Sequence, residues 1–349
     1  MILNILKVFG LSAFSFFVAL FLTPIFTHYF YKYKMWKRES RSAENNTISE
    51  DFKKIHNFDS EIKTPRIGGV LIWVSVFVVT MVMWLISVLF PSDLTLKLNF
   101  LSKNQTWLIL FTLMAASLVG LADDILQILG KSKSLSMGLS LKKRIFLVLI
   151  IGAVAAWWFF FKLGMSSIHV PFFGDIELGY FFIPFFILVL VGIFSGGVID
   201  GIDGLAGGIM ASVFSAYAGI AFFQNQIDVA AFCAVVVGGI LAFLWFNIPP
   251  ARFYMGETGM LGLTTTITVI AFLTDAVIVL PIIALPLIVA TFSAIIQVFS
   301  KKYFKKKIFL VAPIHHHFQA KGWPPYKVTM RFWIISIIMA IIGMVIALI

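Results

Sequence analysis

Apolar residues run along this chain in long blocks separated by short polar stretches. A helix needs about 20 such residues to cross a bilayer core. Measured against that length, the pattern predicts ten spans, at about 8–31, 68–90, 106–122, 145–163, 178–198, 206–224, 229–247, 258–274, 276–300 and 331–349. The expected fold class is therefore all-α, a polytopic membrane protein forming one domain over residues 1–349, without a fixed-period repeat or a soluble domain. The ninth block contains Pro281 and Pro286 and is expected to be kinked or broken. Such breaks are tolerated where protein or water satisfies the freed carbonyls. The first block is too long for the core of a cleavable signal, and no small-x-small site follows it, so it reads as a span. Between the fourth and fifth blocks, GMSSIHVPFFGDIELGY alternates apolar and polar residues around Gly174-Asp175. That pattern predicts a short β-hairpin on the outer surface, with His169 an ordinary surface residue.

The polar residues orient these spans. Of the 27 Lys and Arg, 23 fall in the connections 32–66, 123–144, 301–331 and the one after the seventh span. Basic connections stay in the cytoplasm, so both termini are expected outside. Composition agrees with membrane insertion: 60% of residues are hydrophobic and 12% charged, half the charge of an ordinary soluble domain. A net charge of +11 would suggest nucleic acid in a soluble chain; here it points to the membrane surface, with membrane lipid and not nucleic acid as partner. The lysines between 301 and 307 read as an anchor to anionic headgroups. Cys233, the one cysteine, lies in AAFCAVVVGGI and is expected to be inert.

With this topology the polar clusters gather at one face: TPRIGG (64–69), ADD (122–124), DGIDG (200–204), NIPPARFYMGETG (247–259) and the histidines 315–317. A carboxylate at membrane depth is costly and is a functional candidate by default. Asp123 and Asp124 repel each other unless a cation or a proton relieves them; a solvated helix end is the alternative. Asp200 and Asp203 share a face if their segment is helical. The glycines around them admit a close ligand, although glycines also simply pack membrane helices. Glu257, with Asn247 and Arg252 nearby, forms a set able to hold a metal and a phosphate. Tyr254 reads either as a base-stacking ring or as an interfacial aromatic. Adjacent histidines diverge too much to share one metal. His315, His316 and His317 fit better as hydrogen-bond donors to phosphates. The sequence has no Walker-type loop and no acid at the middle of a span. The physical reading is a phosphoryl-type transfer at the cytoplasmic face, between a soluble diphosphate and a lipid-borne phosphate.

These motifs resemble the polyprenyl-phosphate N-acetylhexosamine-1-phosphate transferases. APIHHHFQAKGWPPYKVTMRFWIIS (312–336) carries most of the likeness, with DGIDGLA (200–206), FNIPPARFYMGETG (246–259), ADD and TPRIGG in the family's order. The resemblance implies Mg²⁺, a UDP-linked amino sugar donor (UDP-N-acetylmuramoyl-pentapeptide), undecaprenyl phosphate as acceptor, UMP as product and a homodimer. It implies that Asp123 helps activate the lipid phosphate, as a base or through the metal, supported by Asp124; a two-step route with an acid as nucleophile is the alternative. Asp200 and Glu257 would hold metal, with Asp203 near the uracil and Tyr254 stacked on it. Asn247 and His315 to His317 would orient diphosphate and sugar, with His315 and His316 in the catalytic group. Gly256, Lys63 and Arg66 complete the substrate-binding set.

Several positions depart from the family pattern. Glu257 stands for Asp, Gly197 for Asn, Gln127 for Lys and Met260 for Ser, and IKTPRIGG differs from the usual KxGTPTMGG form. TPRIGG is closer to relatives that use UDP-N-acetylglucosamine, the first alternative donor. A transporter or lipid-binding protein without chemistry is the alternative of another class.

Overall fold

The computed structural model describes residues 1–36, 63–101, 104–129 and 138–349. The basic residues between 37 and 62, with Lys103, Lys131 and Lys133, lie outside them. Ten helices are long and apolar enough to cross a membrane, as the blocks predict. They are α1 (Ile2–Lys32), α2 (Val70–Leu89), α3 (Asn104–Leu129), α4 (Leu141–Lys162), α5 (Gly179–Ile199), α6 (Leu205–Phe223), α7 (Ile227–Asn247), α8 (Gly256–Leu273), α9 (Leu285–Tyr303) and α10 (Pro325–Ala347).

The helices are not equally buried, and the reason lies in their side chains. In α8 the most apolar window is 89% buried against 22% for α10. The centre of α8 is rich in threonine: Thr264, Thr265 and Thr268 each return a hydroxyl hydrogen bond to their own helix backbone at 2.7–3.0 Å. Polar groups satisfied in this way are tolerated inside a membrane protein. α10 instead shows Ile334, Ile335, Ile338 and Ile341 on its bare face, the surface that lipid covers. α3 packs along α8, and α6 lies between α7 and α10. Phe159, Phe182, Phe186 and Phe272 close one end of the bundle with ring centroids 4.7–6.5 Å apart.

At that end the expected hairpin forms from β1 (Ser167–Val170) and β2 (Gly174–Glu177), antiparallel. His169 Nδ1 lies 2.7 Å from Asp175 Oδ1, and the His169 N–H donates to Asp275 Oδ1 at 3.0 Å. The residue thus ties the hairpin to the α8–α9 connection. Burial raises the Asp275 carboxyl above its ordinary value, against the hydrogen bond from His169.

Several boundaries differ from the pattern's expectation, α1 by starting at Ile2. α3 continues through Asp123 and Asp124 to Leu129. α10 begins at Pro325, so Lys327 and Arg331 belong to a helix and not to a loop. The short helix Leu280–Ile283 precedes α9, and Pro281 and Pro286 occupy the first turns of the two, where a missing N–H costs nothing.

Candidate active site

Two connections build the floor of the site. The Tyr254 N–H donates to the Pro65 carbonyl, Gly68 N–H to the Tyr254 carbonyl and Gly69 N–H to the Met255 carbonyl, at 2.8–2.9 Å. TPRIGG therefore pairs backbone to backbone with the segment that opens α8. Asn247 completes the frame: Oδ1 accepts from Gly204 N–H at 2.9 Å and Nδ2 donates to the Phe253 carbonyl at 2.8 Å. Both ends of this amide are used by the scaffold, joining the start of α6 to the end of α7. Gly256 has a φ of +70°. A Cβ there would stand 2.0 Å from the Arg66 carbonyl oxygen and 2.7 Å from Asp124 Oδ2, so conformation and space both require glycine.

The two neighbouring aspartates of α3 have different tasks. Asp124 accepts from Glu257 N–H at 3.2 Å and from Thr258 N–H at 2.8 Å. These are amides of the first turn of α8, which have no partner within the helix, and a carboxylate there also faces the positive end of the helix dipole. Thr258 is fixed in turn by the Ser117 carbonyl at 3.0 Å and the Trp73 indole at 3.1 Å. Asp124 thus places Glu257. Asp123 is fully buried. It accepts from Leu139 N–H and from Gln127 Nε2 at 3.1 Å, and Arg144 Nε lies 3.6 Å from its Oδ2. The same guanidinium donates to Glu257 Oε1, so Arg144 joins the acids of α3 and α8.

Asp200 and Asp203 enter from the α5–α6 connection. Asp200 Oδ2 accepts from Gly256 N–H at 3.1 Å, and Asp203 Oδ2 from Ala251 N–H at 3.1 Å. Burial pushes the Asp200 carboxyl up to about 6, against the pull of Arg66 and the Gly256 N–H, while the charges of Glu257 and Asp203 add to the rise. Arg66 brings positive charge to Asp200, and its buried Nε makes no hydrogen bond among the described residues. Lys63 is exposed at the start of the loop, and no described contact joins it to the acids.

The histidines separate. They begin the short helix Ile314–Ala320. His315 and His316 are buried with ring centroids 4.3 Å apart. A Cβ on Gly201 would stand 2.7 Å from each Nε2, which sets both rings beside the Asp200 segment. His316 Nδ1 lies 2.7 Å from Gln319 Oε1. His317 turns away to accept from Leu310 N–H at 3.1 Å. Burial and Lys321 lower its pKa. Behind them, Gln297 of α9 accepts from Ile308 and Phe309 N–H at 3.0 Å and donates to the Phe309 carbonyl at 2.8 Å. Gln297 holds the loop that presents the histidines.

The pocket thus gathers five carboxylates, Asp123, Asp124, Asp200, Asp203 and Glu257, around Arg66 and Arg144. Among the described residues no three Asp, Glu, His or Cys side chains form a ready-made metal cage. Mg²⁺ does not need one: it takes one or two carboxylates with phosphate oxygens and waters. Asp200, with one oxygen outside any described hydrogen bond, and Glu257 fit that role. The orphaned Arg66 Nε fits a phosphate oxygen. Sequence reasoning missed Arg144 and Gln297. Arg144 was legible only as one more basic loop residue, because its partners lie on helices distant in sequence. Of the departures, Gln127 binds Asp123, and Gly197 faces open space in which the nearest atom to an added Cβ is Met260 Cβ at 3.8 Å.

A family model described as glycosyl transferase family 4 matches residues 106–275. The chain is 36% identical to a protein of Pelagibacter ubique, with 96% of this chain and 91% of that one covered. It is 34% identical to a protein of a Geobacillus species, with 94% of each covered. Both relatives are named phospho-N-acetylmuramoyl-pentapeptide-transferase.

Proposed function

The chain belongs to the phospho-N-acetylmuramoyl-pentapeptide-transferase family, and from that premise we propose how its site-end residues carry out the reaction. The enzyme transfers phospho-N-acetylmuramoyl-pentapeptide from a nucleotide-linked donor to a lipid carrier in peptidoglycan synthesis. The donor is the UDP-linked sugar, the acceptor is undecaprenyl phosphate, and the site faces the cytoplasm of a bacterial plasma membrane. An oxygen of the lipid phosphate attacks the sugar-bearing phosphorus. The bond from that phosphorus to the bridging oxygen breaks, and UMP leaves with the bridging oxygen and its electron pair.

Little covalent chemistry is asked of the protein in such a transfer; position and charge supply most of the rate. Asp123, fixed by Leu139, Gln127 and Arg144, orients the incoming phosphate and takes its proton when it carries one. Arg66 and Arg144 neutralise charge spread over the diphosphate. His315 and His316 donate hydrogen bonds to the sugar phosphate from beside Gly201. Tyr254 and Asp203 receive the uracil. Asp200 and Glu257 would hold magnesium, which when bound screens the diphosphate and stabilises the leaving nucleotide. Asn247 and Asp124 act one step back, by positioning these groups.

The observation that carries this reading is the Asp200 carboxylate against the first N–H of α8, in one pocket with the Arg144–Glu257 pair. Purified protein given undecaprenyl phosphate and Mg²⁺ should release UMP from UDP-N-acetylmuramoyl-pentapeptide. Because TPRIGG resembles the other donor class, UDP-N-acetylglucosamine forms the second arm. Release from that donor alone would move the specificity, and release from neither would return the chain to the carrier reading.

A further inference from the structure

A cavity of about 480 Å³ opens between the end of α1 and the α7–α8 connection, outside the acidic pocket. Lys32 and Arg252 supply its charge beside the His28 ring, and no carboxylate among the described residues lines it. Neither Lys32 nor Arg252 has an ion-pair partner among the described residues. The Arg252 guanidinium lies 5.7 Å over the Phe246 ring, and the Tyr31 hydroxyl donates to the Arg252 carbonyl at 2.9 Å, which closes the wall. Thr23 and Thr27 also line the cavity. Their hydroxyls already donate to the Ala19 and Thr23 carbonyls at 2.8 and 2.7 Å; Thr23 is buried, and the half-buried Thr27 offers a visitor only lone pairs. Phe21 and Ile25, flanking the lining residue Pro24, are bare on the adjacent face of α1.

We propose that this cavity holds the headgroup of an anionic glycerophospholipid of the phosphoglycerol type. The phosphate meets Lys32 and Arg252. A glycerol hydroxyl donates to the Thr27 oxygen, which can only accept. The acyl chains lie along the bare face beside Pro24. From Thr23 to Lys32 a helix rises about 13 Å, enough to run from the hydrocarbon edge into the headgroup layer. Among the described residues an ethanolamine or choline ammonium would meet cations and no acid there, so zwitterionic lipids are disfavoured. A free phosphate would leave the apolar wall and the Thr27 oxygen unused. Because Ala251 anchors Asp203 and Arg252 follows it, the bound lipid steadies the connection that carries Tyr254 and leads into Glu257 at the start of α8.

Native mass spectrometry of the delipidated protein, titrated with phosphatidylglycerol, phosphatidylethanolamine or inorganic phosphate, tests this. One phosphatidylglycerol should be held in preference to phosphatidylethanolamine, and two headgroup-level cations are worth about 30-fold. Lys32→Gln/Arg252→Gln should abolish that preference. Thr27→Phe, which fills the cavity and keeps both charges, should abolish it too, and decides the matter if the charge variant fails to fold. Millimolar phosphate should not displace the lipid. An unchanged preference in Thr27→Phe, or displacement by phosphate alone, overturns the proposal.

Discussion

At the hairpin end of the bundle, Lys7 lies against Asp228 and donates to the Asn99 carbonyl at 3.1 Å, and His169 lies against Asp175. At the site end, five carboxylates share two guanidiniums among the described residues, where Arg66 keeps an unused Nε. Both ends bury charge. The first balances it locally, as a structural ion pair does. The second gathers more carboxylates than guanidiniums among the described residues, beside an Arg66 Nε with no described hydrogen bond, a setting suited to a cation and an anion arriving together. A perturbed, unbalanced cluster in a cleft is the physical mark of function, whereas a closed pair is the mark of architecture.

The contrast is broken most severely at Asp200. Asp200→Asn keeps the shape and removes the charge, and it should lower UMP release by about 10³-fold. The melting temperature should hold or rise, since a buried charge has been removed; a fall in activity that merely tracks unfolding would erase the distinction between the ends. Lys7→Met should do the reverse. It removes the cation beside the part-buried Asp228 and should cost about 3 kcal/mol of stability, with the activity per folded molecule unchanged. Lys7→Met/Asp228→Leu should recover most of that loss in thermal unfolding. Asp124→Asn falls between them. One of its two bonds to α8 is lost, for about 1 kcal/mol, and its activity should exceed that of Asp200→Asn because Asp124 acts only by placing Glu257.

Much of this was readable in the chain. Ten apolar blocks gave ten spans, and the alternation around Gly174 gave the hairpin. The miss at α3 is instructive. The sequence reading ends that span at the acids, because carboxylates are expensive in a bilayer. The helix continues because the amides of α8 and Arg144 satisfy those acids, and these partners lie more than a hundred residues away or across a connection. Asn247 was legible as a polar residue near the site, but its role in the frame depends on Gly204 and Phe253 together. The histidine triplet was legible as a unit. A helix turns about 100° per residue, so it could not remain one in space: His315 and His316 face the acids, and His317 faces its own loop. For α10, Pro325 was the available start signal, and the charges at Lys327 and Arg331 hid it. Arg331 is accommodated by stacking 4.2 Å over Trp323.

The central claim is that the site-end acids take a divalent cation together with the donor diphosphate. Electron paramagnetic resonance of Mn²⁺, standing in for Mg²⁺, counts the bound metal directly. With the UDP-linked donor present, wild-type protein should bind one Mn²⁺. Affinity should rise from pH 5 to pH 7.5 and level off, because Asp200 must lose a proton held up to about 6 before it can ligate. Asp200→Asn should abolish that binding. Equal Mn²⁺ binding by Asp200→Asn and wild type would contradict the account.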